Sequence, residues 1–446
     1  MPTAIFTIAR SGLTASRRSL ELTAQNIANA ANPDYSRRNL TQGELVMTGS
    51  IGTNAQDSLG GVRPGVVERA ESALVQRQAR DASSALAAAE AEFQSLREAE
   101  SAVETSGVFT GIVDFEAALT RLQSNPLEPA LRLSAVEAAR KMAGNFRIAN
   151  GTLGNARSLV QAEVTAETLT VNELANELAA INADLAGARE GTAGRAALLD
   201  ARDKALRGLS EEFGIQPTIN ADGSADVSLT GTPPVMLVTG ATAQNVAVTF
   251  DPDGTASFSV GGTGFVPSGG AMTGRASALA EMAGVQLELD ALAVSAITLS
   301  NTAQANGVGA DGTPGQALFS GTGAGNIDVV LASAEGLATA PAGEPAGSRD
   351  TGNLAALIAS LAAPGGPSSG ADGMLLRLSS RVSALETRTD GLAVVAASAE
   401  AELLRETGVD LDSEAANLVR LQQSFEANGR VIQVAAEMFD TILGLR

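Results

Sequence analysis

The end of the chain carries a heptad repeat, and this repeat constrains the fold more than any other feature of the sequence. Apolar residues recur at every seventh position, with companions three positions further on. This pattern is typical of a helix that buries one narrow stripe against another helix. Asp410 or Asp412 can cap the start of the helix, and Glu414 is expected to be exposed in its first turn. The stripe consists of Leu411, Leu418, Leu421, Phe425, Asn428, Ile432, Ala435, Phe439 and Ile442.

The beginning of the chain carries a matching repeat, and Phe6, Leu13, Leu20 and Ile27 fall at every seventh position. The repeat ends before Pro33, because proline cannot continue a helix and disfavours helix at the preceding residue. Both ends of the chain are therefore predicted to be coiled-coil helices. Periodicity alone leaves two interpretations open. The two helices pair with each other within one chain, or each of them finds its partner in an assembly.

Composition excludes several classes of function. A net charge of −20 argues against nucleic acid or anionic membrane as a partner. The chain has no Cys and no His, which removes thiolate metal sites, disulfides and the commonest general base. No uninterrupted apolar run is long enough to span a bilayer, so membrane insertion is not expected. The first residues lack a basic stretch followed by an apolar segment, so a cleaved secretory signal is not expected either.

Between the terminal helices, the sequence predicts a mainly α fold with one inserted β domain. Long runs with apolar residues at steps of three and four are typical of a helical-bundle rod. One later stretch instead contains short strands separated by turn sequences, which predicts a small antiparallel β domain. The predicted domains are a terminal coiled-coil core (1–32 and 408–446), a partly stranded linker (33–71), a long-helix rod (72–213 and 277–405) and the β domain (214–276).

Two local patterns resemble ligand sites but fail their structural tests. Residues 307–312 match G-x-G-x-x-G, yet they follow a predicted helix and open none, so the dinucleotide interpretation fails. Residues 251–254 begin like a calcium loop, but Gly262 stands where the closing Glu is required. A hairpin turn is expected there instead. The sequence therefore supports no enzyme, no cofactor and no metal site.

The two ends of the chain also resemble a known family. Residues 25–37 are similar to the N-terminal motif of bacterial flagellar rod, hook and hook-associated proteins, although Asn32 and Asp34 replace the usual Thr and Gly. The segment 408–443 resembles the C-terminal signature of the same axial proteins. Two internal segments, 199–210 and 301–319, are similar to the hook-associated members. The motif positions that carry over are Asn26, Asn29, Pro33, Tyr35, Ser36 and Arg37.

The resemblance implies a structural role in the flagellum. The terminal helices would form the inner core of a tubular assembly of many copies, with their heptad stripes as the interfaces. The long helices would form the next shell, and the β domain would project outward. The protein would be a junction ring between hook and filament, in contact with copies of itself, the hook protein and the next hook-associated protein.

The resemblance also implies a route of export. The chain would leave the cytoplasm unfolded through the flagellar type III export apparatus, and a cytoplasmic chaperone would hold its C-terminal helix beforehand. The terminal helices would then become ordered only on assembly, when neighbouring copies bury their stripes. Two alternatives remain. One is a hook or distal-rod protein of the same apparatus, and the other is an unrelated secreted adhesin or surface-array protein.

Overall fold

The computed structural model describes residues 2–44 and 60–444, with the side chains of residues 5–44 and 60–441. The described residues are mainly helical. A short 3-10 helix lies at Ala334–Gly336. The α-helices are α1 (Pro2–Ala28), α2 (Ala73–Ser106), α3 (Val108–Ser124), α4 (Pro129–Gly187), α5 (Ala193–Glu212), α6 (Ala271–Ala305), α7 (Gly352–Leu361), α8 (Pro367–Thr407) and α9 (Leu411–Gly444).

The strands are short, and most of them lie between α5 and α6. This arrangement confirms the predicted fold class, which is mainly helical with an inserted antiparallel β region. The strands are β1 (Arg38–Glu44), β2 (Val62–Arg69), β3 (Ile215–Ile219), β4 (Ala225–Leu229), β5 (Gly231–Thr232), β6 (Val235–Thr239), β7 (Thr242–Ala243), β8 (Val246–Phe250), β9 (Ala256–Val260), β10 (Thr263–Pro267), β11 (Gly307–Val308), β12 (Phe319–Ser320), β13 (Asp328–Val329) and β14 (Ala340–Pro341).

The helix ends follow the stop and start signals in the sequence. Helix α4 begins at Pro129, where a proline loses no hydrogen bond because first-turn N–H groups lack helical partners. Thr192 caps α5 by accepting the N–H of Arg195 at 3.3 Å. Of the two candidate caps of α9, Asp410 accepts the N–H groups of residues 412 and 413, at 3.0 and 3.2 Å. The backbone hydrogen bond from residue 413 holds the pKa of Asp410 below its ordinary value.

The chain divides into two compact units. The first contains the described residues within 1–84, 170–246 and 393–446, and the second contains 85–169 and 247–392. Helices α2, α4 and α8 contribute residues to both units, and the β region is divided at Val246. These units differ from the predicted domains. The prediction rested on local periodicity, which does not reveal the long-range contacts that define a compact unit.

In the first unit, the segment predicted as a linker covers α1. Strands β1 and β2 pair antiparallel, with Arg38 opposite Arg69, and both strands contact α1. Residues 45–59 of the predicted linker lie outside the described residues. A four-stranded antiparallel sheet in the order β3-β4-β6-β7 follows α5. Asn182 of α4 binds this sheet through both backbone groups of Ala225, at 2.9 Å each.

The second unit is built around a helical core. Phe115 and Phe319 pack edge to face with ring centroids 6.0 Å apart. Helix α6 is long and apolar enough by composition to cross a membrane. Some of its apolar side chains, such as Met282 and Leu289, are buried in this unit, but only 39% of the apolar window is buried.

The turn between β8 and β9 also lies in the second unit. The N–H of Asp251 donates to the carbonyl of Thr255 at 2.9 Å, which confirms the predicted hairpin turn.

Candidate functional site

The two terminal helices pair with each other within the chain. Asn417 of α9 donates to the hydroxyl of Thr23 on α1 at 3.2 Å. Nearer the other end of the pair, Gly12 lies directly against the side chain of Asn428. Residue numbers rise along α1 as they fall along α9, so the helices are antiparallel. The expectation that these helices have no partner in a single chain is therefore wrong, because each covers the other.

The predicted stripe of α9 shares its face with the residues that contact α1. Its central members are buried or half-buried, and its two ends are exposed. The side chain of Ile442 lies outside the described residues. Leu418, Leu421, Phe425, Asn428 and Ile432 are half-buried, Ala435 is buried, and Leu411 and Phe439 are exposed.

On α1 the most buried positions are not those of the predicted stripe. Phe6 is 43% exposed, and Leu13, Leu20 and Ile27 are half-buried. Most of the buried positions lie two or three residues after a stripe residue, because α1 is covered by the β1–β2 sheet as well as by α9. Most of them carry small or polar side chains. They are Ala9, Ala15, Ser16, Leu22, Thr23 and Asn26.

Asn428 contributes to the helix pair by filling the space beside Gly12. An added Cβ on Gly12 would lie 2.8 Å from the Oδ1 atom of Asn428, so only glycine fits there without movement. The Nδ2 group of Asn428 donates to the carbonyl of Ser424 in its own helix at 2.9 Å. The predicted register-setting residue therefore fits against a glycine rather than bonding to a polar side chain on α1.

The amide of Asn26 joins three segments of the chain. Its Oδ1 accepts the hydroxyl of Tyr35 at 2.7 Å and the N–H of Arg38 at 3.1 Å. Its Nδ2 donates to the carbonyl of Arg38 at 2.9 Å and to Oε1 of Glu414 at 3.1 Å. An asparagine amide has two donor hydrogens and two acceptor lone pairs, so all four are used. Glu414 is only 5% exposed, which corrects the expectation that it faces solvent.

A network of buried ion pairs continues from Arg38 to α5. Arg38 donates to Asp200 at 2.5 Å, and Arg69 donates to the other oxygen of the same carboxylate at 2.7 Å. Arg69 also bonds to Asp203, which accepts from Arg202 at 2.7 Å. Since Asp200 and Asp203 are three residues apart on a helix, both carboxylates lie on one face. We refer to Asn26, Tyr35, Arg38, Arg69, Asp200, Asp203 and Glu414 as the terminal hub.

Two pKa shifts reflect this environment. Burial alone would raise the pKa of Asp203, but the charges and hydrogen bonds of Arg69 and Arg202 hold it below its ordinary value. Burial raises the pKa of the Tyr35 phenol, and the guanidinium of Arg38 only partly opposes this shift. That guanidinium lies 4.7 Å from the centre of the Tyr35 ring. The hub therefore favours an ionised Asp203 and a neutral Tyr35.

The remaining motif residues surround the hub. The backbone of Arg37 accepts the N–H of Ala70 and donates to the carbonyl of Thr407, both at 2.8 Å, and so links the end of β2 with the end of α8. Ser36 is buried. Asn29 is half-buried near the end of α1, and Pro33 is exposed.

The hub contains residues that the sequence alone did not identify as functional, namely Arg38, Arg69 and Glu414. The sequence contained one signal for the two arginines, which is the pair Asp200 and Asp203. Carboxylates on a buried helix face require cationic partners. The sequence does not reveal which of the chain's arginines approach them.

One end of the helix pair exposes large apolar side chains. Ile5 and Phe6 of α1 are 39% and 43% exposed, and Met438 and Phe439 of α9 are 45% and 46% exposed. The antiparallel register places these residues at the same end of the pair. Contiguous exposed apolar side chains commonly mark an interaction surface. We refer to Ile5, Phe6, Ile8, Val431, Val434, Met438 and Phe439 as the apolar end.

The site offers paired charges and packing surfaces rather than reactive groups. Each carboxylate of α5 in the hub is neutralised by arginine, so neither is free to act as a base. Among the residues that the structure describes, no group of three or more His, Cys, Asp or Glu side chains is placed to hold a metal ion. Residues 307–312 form β11 and a turn, and no helix begins there.

Comparisons with protein families identify relatives of two parts of the chain. Residues 95–319 match the model described as "Flagellar hook-associated protein FlgK helical domain". Residues 402–445 match the model described as "Flagellar basal body rod FlgEFG protein C-terminal".

Curated relatives agree with these matches. The chain is 26% identical to flagellar hook-associated protein 1 of Bacillus subtilis over 50% of this chain and 46% of the relative. It is 24% identical to flagellar hook-associated protein 1 of Escherichia coli over 54% of this chain and 44% of the relative. The chain thus spans less than half the length of these relatives in the matched regions. The structure of the flagellar hook junction protein FlgK from Burkholderia pseudomallei matches with a TM-score of 0.49 at 25% identity, over 55% of this chain and 46% of that chain.

Proposed function

Because the helical-domain model matches half of the chain, the chain belongs to the FlgK family of flagellar hook-associated proteins, and we propose that it forms the junction between hook and filament. The match over residues 95–319 carries this proposal. The proposed role is structural and non-enzymatic. Its location is the extracellular part of the bacterial flagellum, after synthesis in the cytoplasm.

The geometry of the first unit supports assembly through the terminal helices. The helix pair keeps the middle of the α9 stripe covered, while Phe6, Leu411 and Phe439 stay exposed. These exposed side chains would contact further copies of the chain, the hook protein and the next hook-associated protein. The half-buried members of both stripes would complete these interfaces where neighbouring helices pack beside the pair.

Export supplies further partners. The chain would pass unfolded through the flagellar type III export apparatus, and the absence of Cys is compatible with folding outside the cell without disulfide chemistry. Before export, α9 has no folded α1 to cover its stripe. A cytoplasmic chaperone would bind that stripe and prevent premature association.

Electron microscopy of cells that lack the gene, together with an assay of flagellin in the medium, tests this proposal. We expect hooks without filaments and flagellin released as monomer. Normal filaments would contradict the junction role. A matched control is the same strain with the gene restored, in which filaments should return.

A hook or distal-rod protein is the second candidate. The match of residues 402–445 to the rod-protein C-terminal model supports it, because the model's description names rod proteins. Cells without hooks in the same experiment would support this alternative. An unrelated adhesin or surface-array protein has no support once the chain is placed in the hook-associated family.

A further inference from the structure

Helix α4 carries an exposed face without charge. Between residues 148 and 169, the positions classed as exposed hold only uncharged residues, although the chain has 80 charged side chains in total, 30 basic and 50 acidic. Glu163, whose side chain is 44% exposed, lies beside this face rather than on it. At 3.6 residues per turn the exposed positions fall within a sector of about 120°. All of them belong to the second unit. This uncharged stripe consists of Ile148, Gly151, Asn155, Ser158, Leu159, Ala162, Thr165, Ala166 and Leu169.

Packing within the chain does not account for this stripe. Ile148, Leu159 and Leu169 are 53%, 49% and 62% exposed, so they contribute little to the core. An added Cβ at Gly151 would meet no described atom within 4 Å. Alanine would make a better helix there, so the fold of one chain does not need a glycine at this position. A glycine would be needed at this position if another molecule packed closely against the helix.

Charge favours a second copy of the chain as that molecule. Each copy carries a net charge of −20, so two copies repel each other over most of their surface. An uncharged surface is where two such copies can come together without bringing carboxylates into contact. A basic partner, in contrast, would be attracted to the acidic parts of the surface and would gain nothing from this stripe.

Helix α6 of the same unit has a second exposed apolar face, bordered by the exposed residues Glu281 and Glu288, of which Glu288 is paired with Arg377. Leu287 is 71% exposed and Val294 is 40% exposed, and an added Cβ at Gly284 would meet no described atom within 4 Å. These residues share a face with two exposed alanines at helical spacing. We refer to Ala280, Gly284, Leu287, Ala291 and Val294 as the α6 stripe.

We propose that the uncharged stripe of α4 packs against the α6 stripe of a second copy. The inference rests on the proposed function, in which many copies assemble side by side. Because the two surfaces differ, the contact is heterologous and repeats from copy to copy. Pairing of one stripe with itself would instead give closed dimers.

The size of the stripe determines when the contact forms. The stripe is roughly 33 Å long and one helix wide, or roughly 330 Å² per copy. Stable specific interfaces bury about 800 Å² per partner. Two isolated copies should therefore remain separate, and the contact should form when other interfaces hold the copies together.

Cysteine cross-linking tests this contact without interference, because the chain has no native Cys. Two differently tagged chains, one with Ile148→Cys and one with Leu287→Cys, are produced together in cells that lack the gene. A short bis-maleimide is then added to whole cells. We expect a cross-linked product that carries both tags. In the matched control, Thr120→Cys replaces Ile148→Cys, because Thr120 is also exposed on a helix of this unit. That control should give no product.

Absence of the mixed product would overturn the proposal, as would a product of two Ile148→Cys chains without the mixed one. A second variant separates assembly from folding. Gly151→Leu should lower the cross-linked fraction at least about fivefold, because it overfills a close contact. It should leave the unfolding temperature of the purified chain unchanged or raised. An unchanged cross-linked fraction would also overturn the proposal. Since the product is measured in whole cells, it reports self-contact whether or not the assembly lies at the hook–filament junction.

Discussion

Asn26 holds the end of α1, the strand β1 and the start of α9 together through one amide group. We expect Asn26→Ala to lower the free energy of unfolding by about 2–4 kcal/mol, because it leaves the buried carboxylate of Glu414 without this donor. Urea unfolding of the purified chain measures this loss. The matched control is Asn29→Ala, which removes one local bond to Gln25 and should cost less than about 1 kcal/mol. Equal losses in the two variants would show that the hub adds no stability.

The Tyr35 phenol provides a spectroscopic probe of the same site. The chain has one Tyr and no Trp, so absorbance near 295 nm follows this residue alone. Because burial raises its pKa, we expect the folded chain to titrate above about pH 10, the value of an exposed tyrosine. The stabilisation from the neutral phenol is complete below the unfolded pKa and is lost as pH rises through the folded pKa. Unfolding the chain in urea should bring the titration back to about 10, and a folded chain that already titrates there would contradict the burial of this phenol.

The stabilisation that Asp203 contributes depends on pH in the opposite direction to that of Tyr35. Its pKa lies below the ordinary value, so its stabilisation is present above about pH 4 and is lost as pH falls through the folded pKa. We expect Asp203→Asn to cost about 3 kcal/mol at pH 7, because Arg69 and Arg202 lose a buried partner. The difference between variant and native chain should shrink at pH 3. Asp81→Asn is the control. It removes an exposed ion pair with Arg77 and should cost less than about 1 kcal/mol at either pH.

At the scale of elements, substitutions at the contact between Gly12 and Asn428 test whether α1 and α9 pair as described. Alanine normally stabilises a helix interior relative to glycine by about 1 kcal/mol. We expect this gain for Gly429→Ala, where an added Cβ meets no described atom within 4 Å. Gly12→Ala should instead destabilise the pair, because its Cβ would lie 2.8 Å from Asn428.

A double-mutant cycle attributes the effect to this contact. Combining Gly12→Ala with Asn428→Ala should restore the lost stability, as expected for residues in direct contact. Hydrogen exchange of the backbone amides in α1 and α9 is the measurement. Additive effects of the two substitutions would contradict the antiparallel register described above.

The sequence predicted the elements better than their arrangement. Long helices such as α4 repeat their pattern many times, so their bounds could be read from periodicity and from Pro129. Strand β10 at Thr263–Pro267 lies inside the predicted β domain (214–276), but its sequence lacks alternating apolar residues and contains a glycine and a proline, so the pattern could not place it. Glu414 was assigned to solvent because a charged residue in a heptad usually is exposed. Its burial depends on Asn26, which is 388 residues away in the chain. Such a contact leaves no local signal.

At the scale of the whole molecule, the terminal helices have two surfaces with different roles. One surface closes the pair within the chain, and the apolar end stays exposed. The sequence left two interpretations open, pairing of the two helices within one chain or pairing with partners in an assembly. The structure shows the pairing within one chain, and the assembly role stays a proposal that the exposed apolar end supports.

The most direct test of this account is electron microscopy of gene-deleted cells that produce the Phe6→Ser, Phe439→Ser double variant. Both side chains are more than 40% exposed, so the purified variant should unfold like the native chain. If the apolar end makes the assembly contacts, these cells should build hooks without filaments. Filaments of normal number and length would contradict the account.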